Sequence, residues 1–274
     1  MRIELDISGQ RLEFLRHEAI HIGVPISFEE DRPAAFGVPN SSRKKISNDS
    51  FVGDTSKGGS CNVEEIYFIP HCHGTHTESI GHLVNNAITI SELSFQLQFL
   101  KTCVISIPVV EARKSKEHYT SNSSGNDLWL TAEAIQKSWE NLDHLFPPEA
   151  LVIRSLPNPA NKPLSQNSNA AYFTEEAMRW LINRDIEHLV VDIPSIDRME
   201  DGGKLINHRA FWNLLPDQKT INKDSWRTKT LTEFAYIPDR AKDGCYIMNI
   251  NPIDWHLDAV PSSPILFPVE REER

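Results

Sequence analysis

The chain has 274 residues, of which 39% are hydrophobic and 24% are charged, and its formal net charge at pH 7 is −10. This length is sufficient for one large hydrophobic core. The excess of acidic residues argues against binding to nucleic acid or anionic lipid, since such binding uses clustered Lys and Arg. No stretch approaches the roughly 18 consecutive apolar residues of a membrane-spanning helix, so no membrane partner is expected.

The N-terminal segment predicts a half-buried strand, because residues 1–7 alternate apolar and polar side chains. It has neither the apolar stretch nor the small-residue cleavage site of a signal peptide. The four cysteines, Cys61, Cys72, Cys103 and Cys245, form no CxxC pair. Free thiols of this kind are typical of a reducing compartment. We therefore expect a cytoplasmic protein.

The central part of the chain predicts alternating strands and helices. Residues 38–63 are rich in Ser, Asn, Lys and Gly and predict a long surface loop. Residues 101–110 form an apolar run that is typical of a strand covered on both faces. Thr131 and Thr174 each precede an amphipathic segment with an acidic first turn. That pattern predicts two helices with threonine caps.

Two further apolar runs flank the second of these helices. Residues 151–154 and 188–193 each predict a buried strand. A strand, a helix and a strand in this order indicate a βαβ crossover with parallel pairing. No internal repeat and no Pro- or Gly-rich linker divides the sequence. We predict a single α/β domain over residues 1–274.

Residues 70–82, PHCHGTHTESIGH, concentrate side chains that bind metals. Four of the chain's eleven histidines lie in this segment, together with a cysteine and a glutamate. Imidazole, thiolate and carboxylate are the groups that bind zinc in proteins. In an extended backbone the even-numbered candidates would project from one face: Cys72, His76, Glu78 and His82. The segment therefore predicts a metal site.

Other interpretations of this segment stay open. Its histidines could merely satisfy hydrogen bonds in a strand that leads into a loop. His71 or His73 could replace a ligand if the chain bulges at Gly74, or could support one by holding a carboxylate or carbonyl. Cys72 could instead act as a nucleophile with His76 as its base, which would require an activated thiol that binds no metal.

A second polar region follows the strand at 188–193. It contains DIPSID at residues 192–197, NHR at 207–209 and LTE at 231–233. With these residues the chain resembles the cyclase family of metal-dependent hydrolases, which includes bacterial kynurenine formamidase and isatin hydrolase. Residues 72–82 are similar to the family signature HxGTHxDxPxH. The later region is similar to the D-x-P-S-x-D and H-R segments of the family and to its later glutamate.

The resemblance implies a compact α/β domain of the swivelling β/β/α type, assembled as a homodimer or homotetramer. It implies metal ligands at five positions: Cys72, His76, Glu78, His208 and Glu233. Glu78 stands at the position that bridges two metals, and His82 at that of the general acid/base. The implied activity is hydrolysis of an amide or cyclic amide in a small molecule by a metal-activated water, with arylformamidase chemistry as one case.

The sequence departs from the family signature at Cys72, Glu78 and Ile80, where the family has His, Asp and Pro. A thiolate is a softer ligand than imidazole and favours zinc over manganese or magnesium. The additional methylene of Glu78 moves its carboxylate outward. The site could then hold a single zinc instead of two bridged ions. We predict one or two Zn²⁺ per chain, with Mn²⁺ less favoured.

Several residues have two interpretations. Asp192 and Asp197 either orient His208 or close turns, and Arg154 either pairs with a buried carboxylate or contacts the substrate. Four aromatic side chains either line a substrate pocket or belong to the core: Phe36, Trp129, Phe211 and Trp212. The alternative to an enzyme is a non-catalytic metal-binding or scaffold protein of the same fold. The three departures favour this alternative, whereas His82 and His208 oppose it.

Overall fold

The computed structural model describes residues 1–7, 10–28, 34–85, 88–162 and 169–269. Within these ranges the strands are β1 Arg2–Ile7, β2 Gln10–Leu15, β3 Ile20–His21, β4 Ser42–Lys45, β5 Ser47–Asn48, β6 Phe51–Val52, β7 Glu64–Tyr67, β8 His76–Glu78, β9 Leu100–Pro108, β10 Val110–Glu111, β11 Leu128–Leu130, β12 Ala150–Leu156, β13 Tyr172–Phe173, β14 His188–Val191, β15 Thr230–Glu233, β16 Gly244–Asn249, β17 Ala259–Pro261 and β18 Ile265–Pro268. The α-helices are α1 Pro70–His73, α2 Ile90–Leu93, α3 Ala132–Glu140, α4 Glu175–Ile182 and α5 Ile206–Phe211. None of the helices in the described ranges is long and apolar enough for a membrane span.

A mixed sheet of nine strands organises the described chain, in the order β17-β8-β15-β14-β12-β9-β16-β18-β3. The four strands β15, β14, β12 and β9 are parallel neighbours. Their carboxyl ends therefore meet at one edge of the sheet. Strand β8 runs antiparallel to β15, so it begins at that same edge. The predicted α/β class is confirmed.

The locally encoded elements agree with their predictions. The N-terminal strand is β1, whose residues alternate between exposed and half-buried. The side chains of Thr131 and Thr174 accept hydrogen bonds from the backbone N–H groups of Ala134 and Ala177, and so cap α3 and α4. Strands β12 and β14 pair in parallel with α4 between them in sequence, which confirms the βαβ crossover.

The segment predicted as a surface loop contains regular structure. Residues 38–63 include β4, which pairs with β7, and β5, which pairs with β6. Nearly all residues of these four strands are exposed, so the surface position is confirmed. The absence of strands was a wrong expectation.

Apolar side chains cover both faces of the central sheet. On β9, Cys103 and Ile105 belong to a core cluster that includes Ile135 of α3 and Met178 of α4. Val104, between them, belongs to a separate cluster on the opposite face. Successive side chains of a strand point to opposite faces, so an apolar run such as β9 contributes to both.

Candidate metal site

Strand β8 lies between β15 and β17 and carries two of the proposed ligands. In its register with β15, His76 opposes Glu233 and Glu78 opposes Leu231. Residues directly opposed on antiparallel strands point to the same face. His76 Nε2 accordingly lies 3.6 Å from Glu233 Oε2. Strand pairing thus joins the two halves of the motif, which are remote in sequence.

Hydroxyl groups hold β8 in this register on its other face. The Thr77 hydroxyl lies 2.7 Å from Thr232 Oγ1 and 2.7 Å from Ser262 Oγ, one on each neighbouring strand. Thr75 donates its hydroxyl proton to the carbonyl of Phe234 and accepts from the backbone N–H of Val24. These buried contacts fix the positions of His76 and Glu78.

The extended backbone expected through residues 72–82 is found only at His76–Glu78. Residues 70–73 form the helical turn α1, with Pro70 at its start, where a missing N–H costs nothing. In a helical turn, adjacent side chains point in directions about 100° apart. The structure accordingly brings His71 to the site, with its Nε2 3.4 Å from Glu78 Oε2. It brings Cys72 into none of the described groups of ligand atoms.

Asp258, which the sequence analysis did not select, lies beside His71 and His82. Its Oδ2 is 3.3 Å from His71 Nε2 and 3.7 Å from His82 Nδ1. The two imidazole rings are 4.5 Å apart between centroids. Gly81 allows Asp258 to come this close to the two histidines, because a Cβ at residue 81 would lie only 2.9 Å from Asp258 Cβ. Asp258 belongs to no motif, and only its position before β17 brings it here.

His208 lies on α5 and is oriented by Asp197. The Asp197 carboxylate accepts the backbone N–H groups of Asn207 and His208, and its Oδ2 lies 2.6 Å from His208 Nδ1. This arrangement directs His208 Nε2 to Glu78 Oε1 at 3.1 Å. The orienting role of Asp197 is therefore confirmed. Asp192 instead accepts from Lys162 Nζ and from a backbone N–H.

These side chains form overlapping groups around Glu78. We call His76, Glu78 and Glu233 the inner group, and His71, His82 and Asp258 the outer group; the nitrogen and oxygen atoms within each lie within 4.8 Å of one another. Glu78, His82 and His208 form a third such group. Glu78 Oε2 faces the outer group, whereas Oε1 faces His208. Apart from Cys72, the structure brings together every predicted site residue.

Burial and neighbouring charges shift the pKa values of the inner group. Burial lowers the pKa of His76 to about 4, which leaves a free nitrogen lone pair at neutral pH. Burial alone would raise the pKa of Glu78, but His82 and His208 hold it well below its ordinary value. Burial, and then the charge of Glu78, raise the pKa of Glu233 well above its ordinary value. The pKa values of the two buried carboxylates are thus shifted in opposite directions.

Two atoms of the inner group lack the partners that buried polar atoms need. Among the described residues, His76 Nε2 and Glu78 Oε1 have no hydrogen-bond partner, and the contact of Glu78 Oε1 with His208 is not aligned as one. Such orphaned groups carry a desolvation cost that a cation would offset. Imidazole nitrogen and carboxylate oxygen suit a divalent transition metal. The residues present therefore fit the metal that the family resemblance implies.

The alternatives for the aromatic residues and Arg154 are resolved by their surroundings. Trp129, Phe211 and Trp212 are buried in core clusters, while Phe36 is 45% exposed. Arg154 donates to the carbonyls of residues 238 and 241 and to the carboxylate of Asp243, so it ties β12 to the segment that precedes β16.

Cys72→Ser is expected to leave metal content unchanged. Cys72 belongs to none of the ligand groups formed by the described residues. Burial also raises the pKa of its thiol to about 11, which opposes nucleophilic attack at neutral pH. Cobalt-substituted protein should then show no thiolate charge-transfer band. The adjacent variant His71→Ala is the comparison, because the side chain of His71, unlike that of Cys72, faces Glu78 and belongs to a ligand group. A thiolate band that disappears in Cys72→Ser would establish Cys72 as a ligand.

The fold and the buried groups define an α/β protein with a candidate metal site. Residues 14–198 match the family model described as "Cyclase: Putative cyclase". Because this match covers more than half of the chain, the protein belongs to the cyclase family. The matched range includes residues 70–82 but ends before His208 and Glu233, which the structure adds to the site.

Solved structures share the fold over nearly the whole chain. Isatin hydrolase A from Labrenzia aggregata, bound to benzyl benzoate, is 15% identical, with a TM-score of 0.60 and coverage of 93% of this chain and 95% of that one. A "predicted metal-dependent hydrolase" from Bacillus stearothermophilus is 16% identical, with a TM-score of 0.57 and coverage of 91% and 97%. An isatin hydrolase bound to the product analogue thioisatinate is 16% identical, with a TM-score of 0.60 and coverage of 92% and 93%. A search of curated proteins finds no match. At these identities the similarity establishes the cyclase-like fold.

Proposed function

We propose that the protein is a metal-dependent hydrolase that opens an amide or cyclic amide bond in a small molecule. The observation that carries this proposal is the pair of orphaned buried atoms, His76 Nε2 and Glu78 Oε1, in a cluster of histidines and carboxylates. Membership of the cyclase family supports it. The names of the similar isatin hydrolases make a cyclic amide the first substrate class to test.

The inner group and His208 would hold the ion. His208 Nε2 lies 3.1 Å from Glu78 Oε1 and 3.7 Å from Glu233 Oε1, so it faces both carboxylates. A bound divalent ion supplies Lewis acidity and lowers the pKa of water toward 7. We propose Zn²⁺ as this ion. Without a thiolate the preference over Mn²⁺ is weaker, because nitrogen and oxygen donors suit both. A second ion would use His71, Asp258 and Glu78 Oε2, and would leave His82 free of metal.

We propose His82 as the residue that moves a proton between water and the leaving nitrogen. Its side chain is 27% exposed, which leaves it accessible to a substrate, whereas His76 and His208 are buried. Its Nδ1 lies 3.7 Å from Asp258 Oδ2 and 3.9 Å from Glu78 Oε2. Because Nδ1 faces these two carboxylates, the other ring nitrogen is left for the substrate.

The setting of the enzyme follows from the family resemblance and the thiols. All four cysteines are free, which fits a reducing compartment, and we propose a cytoplasmic enzyme. We further propose a homodimer or homotetramer, which sedimentation analysis would distinguish from a monomer.

The test of the proposed function is hydrolysis by metal-loaded protein. Isatin, an aryl formamide and an aromatic lactone form the substrate panel. We expect turnover of at least one member, loss of turnover after chelation, and recovery when Zn²⁺ or Mn²⁺ is returned. Full metal content without hydrolysis of any member would contradict the proposal and favour a non-catalytic metal-binding protein.

A further inference from the structure

The hydrogen bonds that hold His208 continue one step beyond Asp197. The hydroxyl of Tyr119 donates to Asp197 Oδ1 at 2.8 Å, whereas His208 Nδ1 lies 2.6 Å from Oδ2 of the same carboxylate. Tyr119, Asp197 and His208 are 4%, 1% and 2% exposed. Solvent therefore cannot replace any of these bonds. Tyr119 lies in a polar stretch to which the sequence assigned no function.

The four acceptor contacts of Asp197 divide evenly between its two oxygens. Oδ1 accepts from Tyr119 and from the backbone N–H of Asn207, and Oδ2 accepts from the backbone N–H and the ring of His208. A carboxylate held at both oxygens cannot rotate about its terminal bond. Without the tyrosine hydroxyl, the Asp197 carboxylate would keep hydrogen bonds only to α5, the helix that carries His208, so no hydrogen bond from outside that helix would fix its position.

The hydroxyl of Tyr119 has one direction in which to donate. Its oxygen accepts the backbone N–H of Arg198 at 3.3 Å, so its single proton is directed to Asp197. The ring is fixed as well, because it packs edge-on against Tyr172 with 4.8 Å between centroids. Tyr119 is thus a rigid donor to the group that orients His208.

We propose that Tyr119 is a positioning residue for the metal ligand His208 and acts through Asp197. The inference rests on the proposed function, since it concerns the affinity of the inner group for its ion. The Tyr119 hydrogen bond fixes the Asp197 carboxylate, which in turn directs His208 Nε2 at Glu78 and Glu233. Outer partners of metal ligands typically change affinity by about 10- to 100-fold. Tyr119 is one hydrogen bond further from the metal than Asp197, so we expect its loss to weaken the affinity for the ion by about 10-fold.

Tyr172 provides a matched control in the same aromatic cluster. It is 2% exposed, and its hydroxyl donates to Asp127 Oδ2 at 2.7 Å. Asp127 is held by Arg198 and a backbone N–H and belongs to none of the described ligand groups. Tyr172→Phe therefore also removes a tyrosine hydroxyl that donates to an aspartate, but it leaves the hydrogen bonds of Asp197 in place.

The experiment measures Zn²⁺ affinity of the full-length apoproteins against a competing chelator. We expect Tyr119→Phe to bind Zn²⁺ about 10-fold more weakly than the parent, and Tyr172→Phe to bind as the parent does. The apoproteins of both variants should unfold at similar temperatures. In a His208→Ala background, measured at higher zinc concentration, Tyr119→Phe should cause no further loss, because its effect passes through His208.

Each other outcome is decisive. Equal affinities in the two tyrosine variants, or a further loss in the His208→Ala background, would overturn the inference and leave the proposed function intact. An unfolded Tyr119→Phe apoprotein would make the hydroxyl structural and would also overturn it. A parent protein that binds no Zn²⁺ would overturn both, whereas one that binds Zn²⁺ but hydrolyses nothing would overturn the function alone.

Discussion

His76→Ala is expected to remove most of the bound metal. His76 is fully buried, and its Nε2 faces Glu233 Oε2 at 3.6 Å with no hydrogen-bond partner among the described residues. Solvent cannot reach this position to supply a replacement ligand. Elemental analysis of protein purified without added metal, expressed per chain, gives the comparison.

His73→Ala is the matched control for this prediction. His73 is another histidine of the same motif, but its Nδ1 accepts the backbone N–H of Ile69 and its Nε2 faces the carbonyl of Pro39. It belongs to none of the described ligand groups, so its variant should keep its metal. Full metal content in His76→Ala, or equal loss in both variants, would contradict the ligand assignment.

His82→Asn is expected to keep its metal and to lose turnover. Removal of a general acid/base typically lowers kcat by about 10²- to 10⁴-fold. The inner group and His208 do not require His82, so the metal content should match that of the parent. The comparison is kcat for a substrate of the parent enzyme, with metal per chain measured on the same sample.

Two results would reject this role for His82. Unchanged turnover with normal metal content would show that His82 carries no proton in the reaction. Loss of metal would instead make His82 a ligand in the outer group, with His71 and Asp258.

The sequence predicted the elements whose signals are local. The caps at Thr131 and Thr174 and the apolar run of β9 depend on neighbouring residues, and the structure agrees with each. The sequence also carries a charge pattern for the surface strands β4 and β7. Basic residues of β4 lie opposite acidic residues of β7, with Lys44 Nζ 3.2 Å from Glu65 Oε2. Opposite charges across a strand pair stabilise the pairing.

The site was predictable as far as its residues belong to motifs. The motifs select His76, Glu78, His208 and Glu233, and the structure brings these residues together. The register of β8 with β15, which places His76 opposite Glu233, could not be derived from local patterns. Two arguments predict Cys72 as a ligand: its position in the family signature, and the shared face that it would have with His76 and Glu78 in an extended chain. The helical turn at 70–73 instead brings His71 to Glu78 and leaves Cys72 outside the described ligand groups.

Asp258 was missed for a different reason. It is a single acidic residue between apolar neighbours, and its sequence surroundings do not distinguish it from a surface aspartate. The pairing of β17 with β8 carries it to His71 and His82. Contacts that depend on the order of strands in a sheet cannot be predicted from a sequence motif.

The most direct test of the metal site is anomalous diffraction from crystals of the zinc-loaded protein at the zinc absorption edge. We expect a peak about 2.0–2.2 Å from His76 Nε2 and from oxygens of Glu78 and Glu233, with His208 Nε2 also facing it. A peak on the Cys72 thiol, or fully loaded crystals with no peak near the inner group, would contradict the site proposed for this protein.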